Sequence, residues 1–192
     1  MPARTYSSSQ ERYDSTYTYT NAVPLKPAFN GGMWSQFERR IRGYAESQCT
    51  EPIHHGSQEV PAGTLYLLTG TSFVRIKQQR NNQVVGTPDD VRQIGNDNTG
   101  RIFVPNSLWT AGCCVRPNSH FTESFAVMGN NVQTDEDNQK LTLQITVEKL
   151  QGILAEDGDT HDIINLFPGD VKCLNDLGRD LNAKMGHEAF MY

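Results

Sequence analysis

Aromatic and β-branched residues alternate with polar ones from residue 13. Tyr13, Ser15, Tyr17 and Tyr19 share one face, and Asp14, Thr16, Thr18 and Thr20 share the other. A period of two in such residues predicts a strand over 13–21. Pro24 and Pro27 forbid its continued pairing. Asn30, Gly31 and Gly32 then read as a loop-to-helix junction, with Asn30 suited to an N-cap. From there the period changes. Trp34, Phe37, Ile41 and Tyr44 recur at helical spacing and predict a helix over 31–48 with that stripe on a core. Ser35, Arg39 and Glu46 fall mostly off the stripe, while Glu38 and Arg42, four apart, share a face.

Downstream the signals are mainly those of strands. Residues 50–63, rich in Pro and Gly, read as a loop. Residues 64–71 are apolar without alternation, the pattern of a buried strand, and 73–77 read as a second short one. The polar stretch 78–100, with Asn, Asp, Gly and Pro at its centre and end, reads as a long surface insertion. Residues 101–105 and 109–115 form a strand pair or one bent strand, and 121–128 another strand closed by Gly129-Asn130. Residues 141–146 are a strand or an extended link. Val147, Leu150 and Leu154 mark one face of a short helix, and Leu174, Leu177, Leu181 and Met185 a final amphipathic one. The pattern predicts a single α+β domain over 1–192. Its mixed or antiparallel sheet is built from the strands near 13–21, 64–71, 101–115 and 121–128, with helix 31–48 packed on it.

Composition narrows the class. No apolar run approaches the ~18 residues of a membrane span, and the first ten residues contain no apolar h-region of a signal peptide. Net charge is −5, so bulk charge does not advertise nucleic-acid binding. The distribution is uneven: residues 1–132 carry 12 Lys and Arg against 10 Asp and Glu, and residues 133–192 carry 5 against 12. The cysteines are Cys49, Cys113, Cys114 and Cys173, without the paired two-residue spacing of a zinc ribbon. Four cysteines allow three disulfide connectivities. Cys113 and Cys114 are adjacent on a predicted strand, so they point to opposite faces and need different partner environments.

Candidate chemistry concentrates between residues 21 and 42. Asn30 and Glu38 stand beside the cations Lys26, Arg39, Arg40 and Arg42. An amide and a carboxylate in a local basic cluster suit a hydrated hard cation and a phosphate. Each residue also has a plain structural use. Asn30 serves as a cap, Glu38 and Arg42 as a surface pair of about half a kcal/mol, and the basic residues as a solvated face. The adjacent His54 and His55 lie in a Gly/Pro loop with no fixed ligand geometry. The acidic stretch TDEDN at 134–138 lacks the Gly and Glu offsets of a calcium loop.

The string as a whole is more specific than its members. TNAVP at 20–24, FN at 29–30, GGMW at 31–34 and FERRIR at 37–42 resemble the DNA/RNA non-specific endonuclease family. These are the ββα-metal nucleases that include mitochondrial endonuclease G. The family pattern has an Asn-x-x-Pro-Gln segment, an Asn shortly before a Trp, and a Glu eight residues after that Asn. Asn21, Asn30 and Glu38 match it, and Arg42 matches a basic position one turn after the Glu. LYLLTG at 65–70 resembles the family's central strand, and IFVPNSLWTAGCC at 102–114 resembles its "VP…W" segment, closest to animal secreted members. The resemblance covers about residues 17–132. Leu25 stands where the family has Gln, and no Asp-Arg-Gly-His motif, which carries the family's general-base His, occurs in the chain. The start MPART resembles the residues that follow that motif, so the chain is expected to be truncated at its N-terminus, with one sheet edge left open.

The resemblance implies a metal-dependent endonuclease that hydrolyses phosphodiester bonds of DNA and RNA with little sequence preference. Asn30 would be the one protein ligand of Mg²⁺, or of Mn²⁺ or Ca²⁺. If both residues are helical, Glu38 lies about 12 Å further along the axis, so it is expected to hold one of the ion's waters. Asn21 would orient Asn30 or touch phosphate, Arg42 would offset charge developing at phosphorus, and Arg39 and Lys26 would contact substrate. None of His54, His55, His120, His161 and His187 is placed by the sequence beside Asn30, so the chain alone is expected to be inactive. The resemblance also implies a secreted protein with no membrane partner. The other readings are a non-catalytic relative that binds nucleic acid or a protein partner, and a secreted structural domain retaining the fold.

Overall fold

The structure is a computed structural model that describes residues 22–81, 83–96, 100–117, 122–133, 141–157, 164–169 and 172–175. The strand expected over 13–21 lies outside the described residues, as does most of the last expected helix.

Helical backbone begins at α1 (Pro27–Phe29), passes through a π turn (Asn30–Trp34) into α2 (Ser35–Tyr44), and ends in a second π turn (Ala45–Cys49). The aromatic stripe behaves as its spacing requires: Trp34, Phe37, Ile41 and Tyr44 are all buried. The expected start differs. Helical backbone precedes residue 31, and Asn30 is itself in right-handed helical conformation, its N–H donating to the Lys26 carbonyl at 3.0 Å. It is therefore not an N-cap. The break falls two residues later, at Gly32 (φ −97°, ψ −119°).

Residues 50–63 are not a plain loop but hold a short hairpin, β1 (Ile53–His55) with β2 (Gln58–Val60). The main sheet follows: β3 (Thr64–Ser72), β8 (Ser107–Val115), β9 (Thr122–Asn130) and β10 (Thr142–Ile145), all antiparallel, in the order β10-β9-β8-β3. Residues 78–100 are not an insertion without elements. They contribute to two hairpins, β4 (Val74–Gln78) with β5 (Val84–Pro88), and β6 (Arg92–Asn96) with β7 (Gly100–Val104). Gly100, the first residue of β7, is at φ +80°, a left-handed conformation that glycine adopts without steric cost.

Alternation along β8 and β9 divides the core in two. Leu108, Cys114, Phe125 and Val127 meet the helical stripe on one face. Ala111, Ala126 and Met128 face the other side, where Val74 and Ile76 of β4 pack with Val147, Leu150 and Ile153 of α3 (Val147–Asp157). The domain thus has three layers, helix, sheet, and hairpin with helix. Gly112, paired between Leu67 and Phe125, has no Cβ because the Phe125 ring fills that space.

The adjacent cysteines serve opposite layers, as their alternation predicts. Cys114 bonds Cys49 at the end of the helical run, and Cys113 bonds Cys173 on α4 (Lys172–Asn175). Arg116, buried at the end of β8, donates to the carbonyls of Gln48, Glu51 and Pro61. It gathers the helix C-terminus and the first hairpin with charge-assisted bonds.

β3 departs from expectation in its burial. Among the described residues it pairs on one side only, with β8, so it is an edge strand. Tyr66 is 55% exposed and Leu68 38%. Its unbroken apolar run therefore reflects one flank packed under the helix, through Leu65 and Leu67, and one open.

Candidate metal and phosphate site

The site residues ride on the helical run because its other side is committed to the core. Burying Trp34, Phe37, Ile41 and Tyr44 leaves Asn30, Arg39 and Arg42 exposed and Glu38 half-buried. Asn30 sits before the Gly32 break and Glu38 in the first turn of α2. The straight-helix spacing of about 12 Å therefore does not apply, because the chain changes direction between them.

Glu38 is electrostatically distinct. Burial pushes its carboxyl from 4.5 up to about 7, against the smaller lowering effect of a hydrogen bond from the Trp34 side chain. A carboxyl held near neutrality in a partly buried position can hold or release a proton at working pH. The expected Glu38–Arg42 surface pair is absent. Arg42 Nε instead donates to Glu46 Oε1 at 2.8 Å, an exposed pair one turn on. Arg40 turns inward, its guanidinium 5.6 Å from the centre of the Phe37 ring. No hydrogen bond or ion pair joins Asn30, Glu38 and Arg42 to one another. Asn21 lies outside the described residues.

Among the described residues no three His, Cys, Asp or Glu side chains gather as a metal centre. The donors on hand are oxygens: the exposed Asn30 amide and the Glu38 carboxylate. That set fits a hydrated hard cation, which needs few protein ligands, and does not fit a zinc-type centre. His54 stands on β1, in the hairpin beyond the far end of the helical run from Asn30. An apolar groove of about 470 Å³, lined by Tyr66, Leu68, Val115, Phe167 and the Cys113–Cys173 bridge, lies on the opposite face of the sheet from this helix.

The sequence reading missed the residues that hold the helix entrance. Gly129-Asn130 was expected only to close a strand. In the fold Asn130 is buried and pairs through its carboxamide with both backbone groups of Ile76, at 2.9 Å each. Asn131, fully buried, accepts the Lys26 N–H at 2.7 Å and donates to the Pro24 carbonyl at 3.1 Å. Arg92 donates to the Asn131 carbonyl at 2.9 Å and to Asn106 Oδ1 at 3.3 Å. Burial and the neighbouring Arg75 lower its pKa, and Asp89 raises it. The available signal was two amides directly after an otherwise apolar strand, where buried polar groups must be paired.

No helix among the described residues is long and apolar enough to cross a membrane, and two disulfides are compatible with an oxidising, extracellular setting. A search of curated protein sequences returns no match. The model of one family, DNA/RNA non-specific endonuclease, matches residues 1–160, five-sixths of a chain that sets an exposed Asn30 and a half-buried Glu38 on one core-packed helical run, and the protein belongs to that family of nucleases.

Proposed function

We propose that this chain carries the metal-binding part of a divalent-cation-dependent nuclease that hydrolyses phosphodiester bonds of DNA and RNA. What supports the reading most is the placement of the family-pattern pair. Asn30 is exposed with no side-chain hydrogen bond among the described residues, and Glu38 is held with its carboxyl near pH 7 on the same helical run. Asn30 would hold the ion, Mg²⁺ by its preference for few protein oxygens and retained waters, with Mn²⁺ or Ca²⁺ also suited to oxygen ligands. The bound ion would supply electrostatic stabilisation to a leaving 3′ oxygen.

The chain's own residues would do the rest. Glu38, when ionised, would accept hydrogen bonds from the ion's hydration shell. Among the described residues Arg42 is held only by an exposed pair with Glu46, worth about 0–1 kcal/mol, so a phosphate could take its place. Arg39, exposed, and Lys26 would contact the backbone of the substrate, which explains indifference to base sequence. Asn21 would orient Asn30 or meet phosphate. No Asp-Arg-Gly-His occurs in these 192 residues, so a base for the attacking water would come from a segment bearing that motif.

The test is cleavage of plasmid DNA and of RNA with Mg²⁺. The chain alone should show little activity, because loss of a general base lowers rates by about 10²–10⁴. Fusing a motif-bearing segment of a family member ahead of Met1 should bring cleavage, and Asn30→Ala or Glu38→Ala in that fusion should remove most of it. Strong Mg²⁺-dependent digestion by the unfused chain, lost in Asn30→Ala, would assign the base to a group within it. A fusion that folds and stays inactive would favour a non-catalytic nucleic-acid-binding relative.

A further inference from the structure

The turn that presents Asn30 is tethered to the end of the sheet by one side chain, 105 residues away in sequence from the backbone it grips. The Asn131 carboxamide lies against residues 24–26 as the peptide of a neighbouring strand would. Oδ1 accepts the Lys26 N–H at 2.7 Å and Nδ2 donates to the Pro24 carbonyl at 3.1 Å. Pro24 and Pro27 have no N–H, so within 24–27 only Leu25 and Lys26 have a backbone donor to give. One of those two is committed to Asn131. Lys26 then caps α1, and its carbonyl accepts the Asn30 N–H at 3.0 Å. Asn30 is one residue's hydrogen bonds away from the tether.

The tether is itself braced. Asn131 Nδ2 also donates to the Pro105 carbonyl at 2.9 Å, and the Asn131 N–H to the Asn106 carbonyl at 2.8 Å. Arg92 closes the cluster through the Asn131 carbonyl and Asn106 Oδ1, and Asn106 Nδ2 reaches the Phe73 carbonyl at 2.8 Å. A second contact runs alongside. The Phe29 ring fills the space above Gly129, where a Cβ would stand 2.7 Å from it. Residue 29 is thus seated on the strand end that leads into Asn131.

We infer that Asn131 is a positioning residue for Asn30, setting where that carboxamide is offered to a divalent cation without touching cation or substrate itself. The inference rests on Asn30 being the cation's ligand, as proposed above. A side chain that only held the fold together would, when removed, lower stability and leave the cation affinity of the folded protein unchanged. A positioning side chain moves the affinity of protein that remains folded, and supporting partners of metal ligands typically change affinity by about 10–100-fold.

The experiment is Mn²⁺ binding alone, read by the electron paramagnetic resonance of free Mn²⁺ over the intact, disulfide-bonded chain, with circular dichroism and a melt for each variant. Asn131→Ala should weaken Mn²⁺ binding about 10-fold, approaching Asn30→Ala. Lys26→Pro is the second variant. The Lys26 φ of −71° suits proline, so the substitution deletes the donor N–H and leaves the buried Asn131 in place. Losing a lysine charge would by itself favour a cation, so a fall in affinity reports the lost hydrogen bond. Gly112→Ala, which disturbs the sheet beneath Phe125, should lower stability with Mn²⁺ affinity unchanged. If folded Asn131→Ala and Lys26→Pro bind Mn²⁺ as the parent does while Asn30→Ala does not, the positioning role is refuted and Asn30 stands as ligand. If Asn30→Ala binds as the parent does, the ligand assignment falls and the inference with it. If Asn131→Ala does not fold, Lys26→Pro decides.

Discussion

Replacing Glu38 by Gln should stabilise the protein at pH 8 and leave it nearly unchanged at pH 4. Unfolded, the carboxyl ionises near 4.5; folded, burial raises it to about 7. The folded state therefore holds the proton more tightly. The stability this group contributes is fully present below pH 4.5, falls through the window between the two values, and is lost above about 7. Taken whole, the shift corresponds to ~3.4 kcal/mol. Glu38 is only half-buried, and solvent screening reduces this to ~1–2 kcal/mol. Gln keeps an oxygen for the Trp34 hydrogen bond and never carries the charge. In a chain of 192 residues each kcal/mol moves Tm by about 2–4 °C, so the gain at pH 8 should be ~2–8 °C. Thermal melts of both proteins at pH 4, 6 and 8, disulfides intact, measure it. An equal gain at all three pH values, or a loss at pH 8, would refute the argument. The expected gain is itself informative, because a residue that lowers stability where packing does not require it is the mark of a site kept for function.

Removing the Cys49–Cys114 bridge, which spans a sequence separation of 65, should lower stability by about 4 kcal/mol on the chain-entropy account. Urea midpoints of the Cys49→Ala/Cys114→Ala pair against the parent would show it, and an unchanged midpoint would mean that the stripe alone holds the helix. Gly112→Ala should lower stability by about 1–3 kcal/mol, because the new methyl meets the Phe125 ring in a filled core; a melt that does not move would place free space there that the structure does not contain.

Local periodicity determined a good part of this protein without help. Trp34, Phe37, Ile41 and Tyr44 are buried because 3.6 residues per turn leaves them on one side whatever lies opposite. Cys113 and Cys114 bridge to different layers because neighbours on a strand point apart. The family pattern around Asn30 and Glu38 was legible for the same reason: it is a spacing. What the tertiary structure decided are the choices between partners far apart in sequence. The unbroken apolar run in 64–71 cannot say whether a strand is central or at an edge, which depends on what pairs with it. Residues 78–100 look like loop because their strands are short and polar. The first hairpin is fixed where Val74, Ile76 and Val84 meet the core built with Val147, Leu150 and Ile153, while the second rests on the pairing of 92–96 with 100–104. Asn30 reads as a cap until the Lys26 carbonyl is seen taking its N–H. Arg42 had two carboxylates at equal spacing, and burial of Glu38 beside Trp34 left Glu46 as its partner. The Asn131 tether reaches across 105 residues, and nothing in the local spacing of an amide records a hydrogen bond that only folding brings within 2.7 Å.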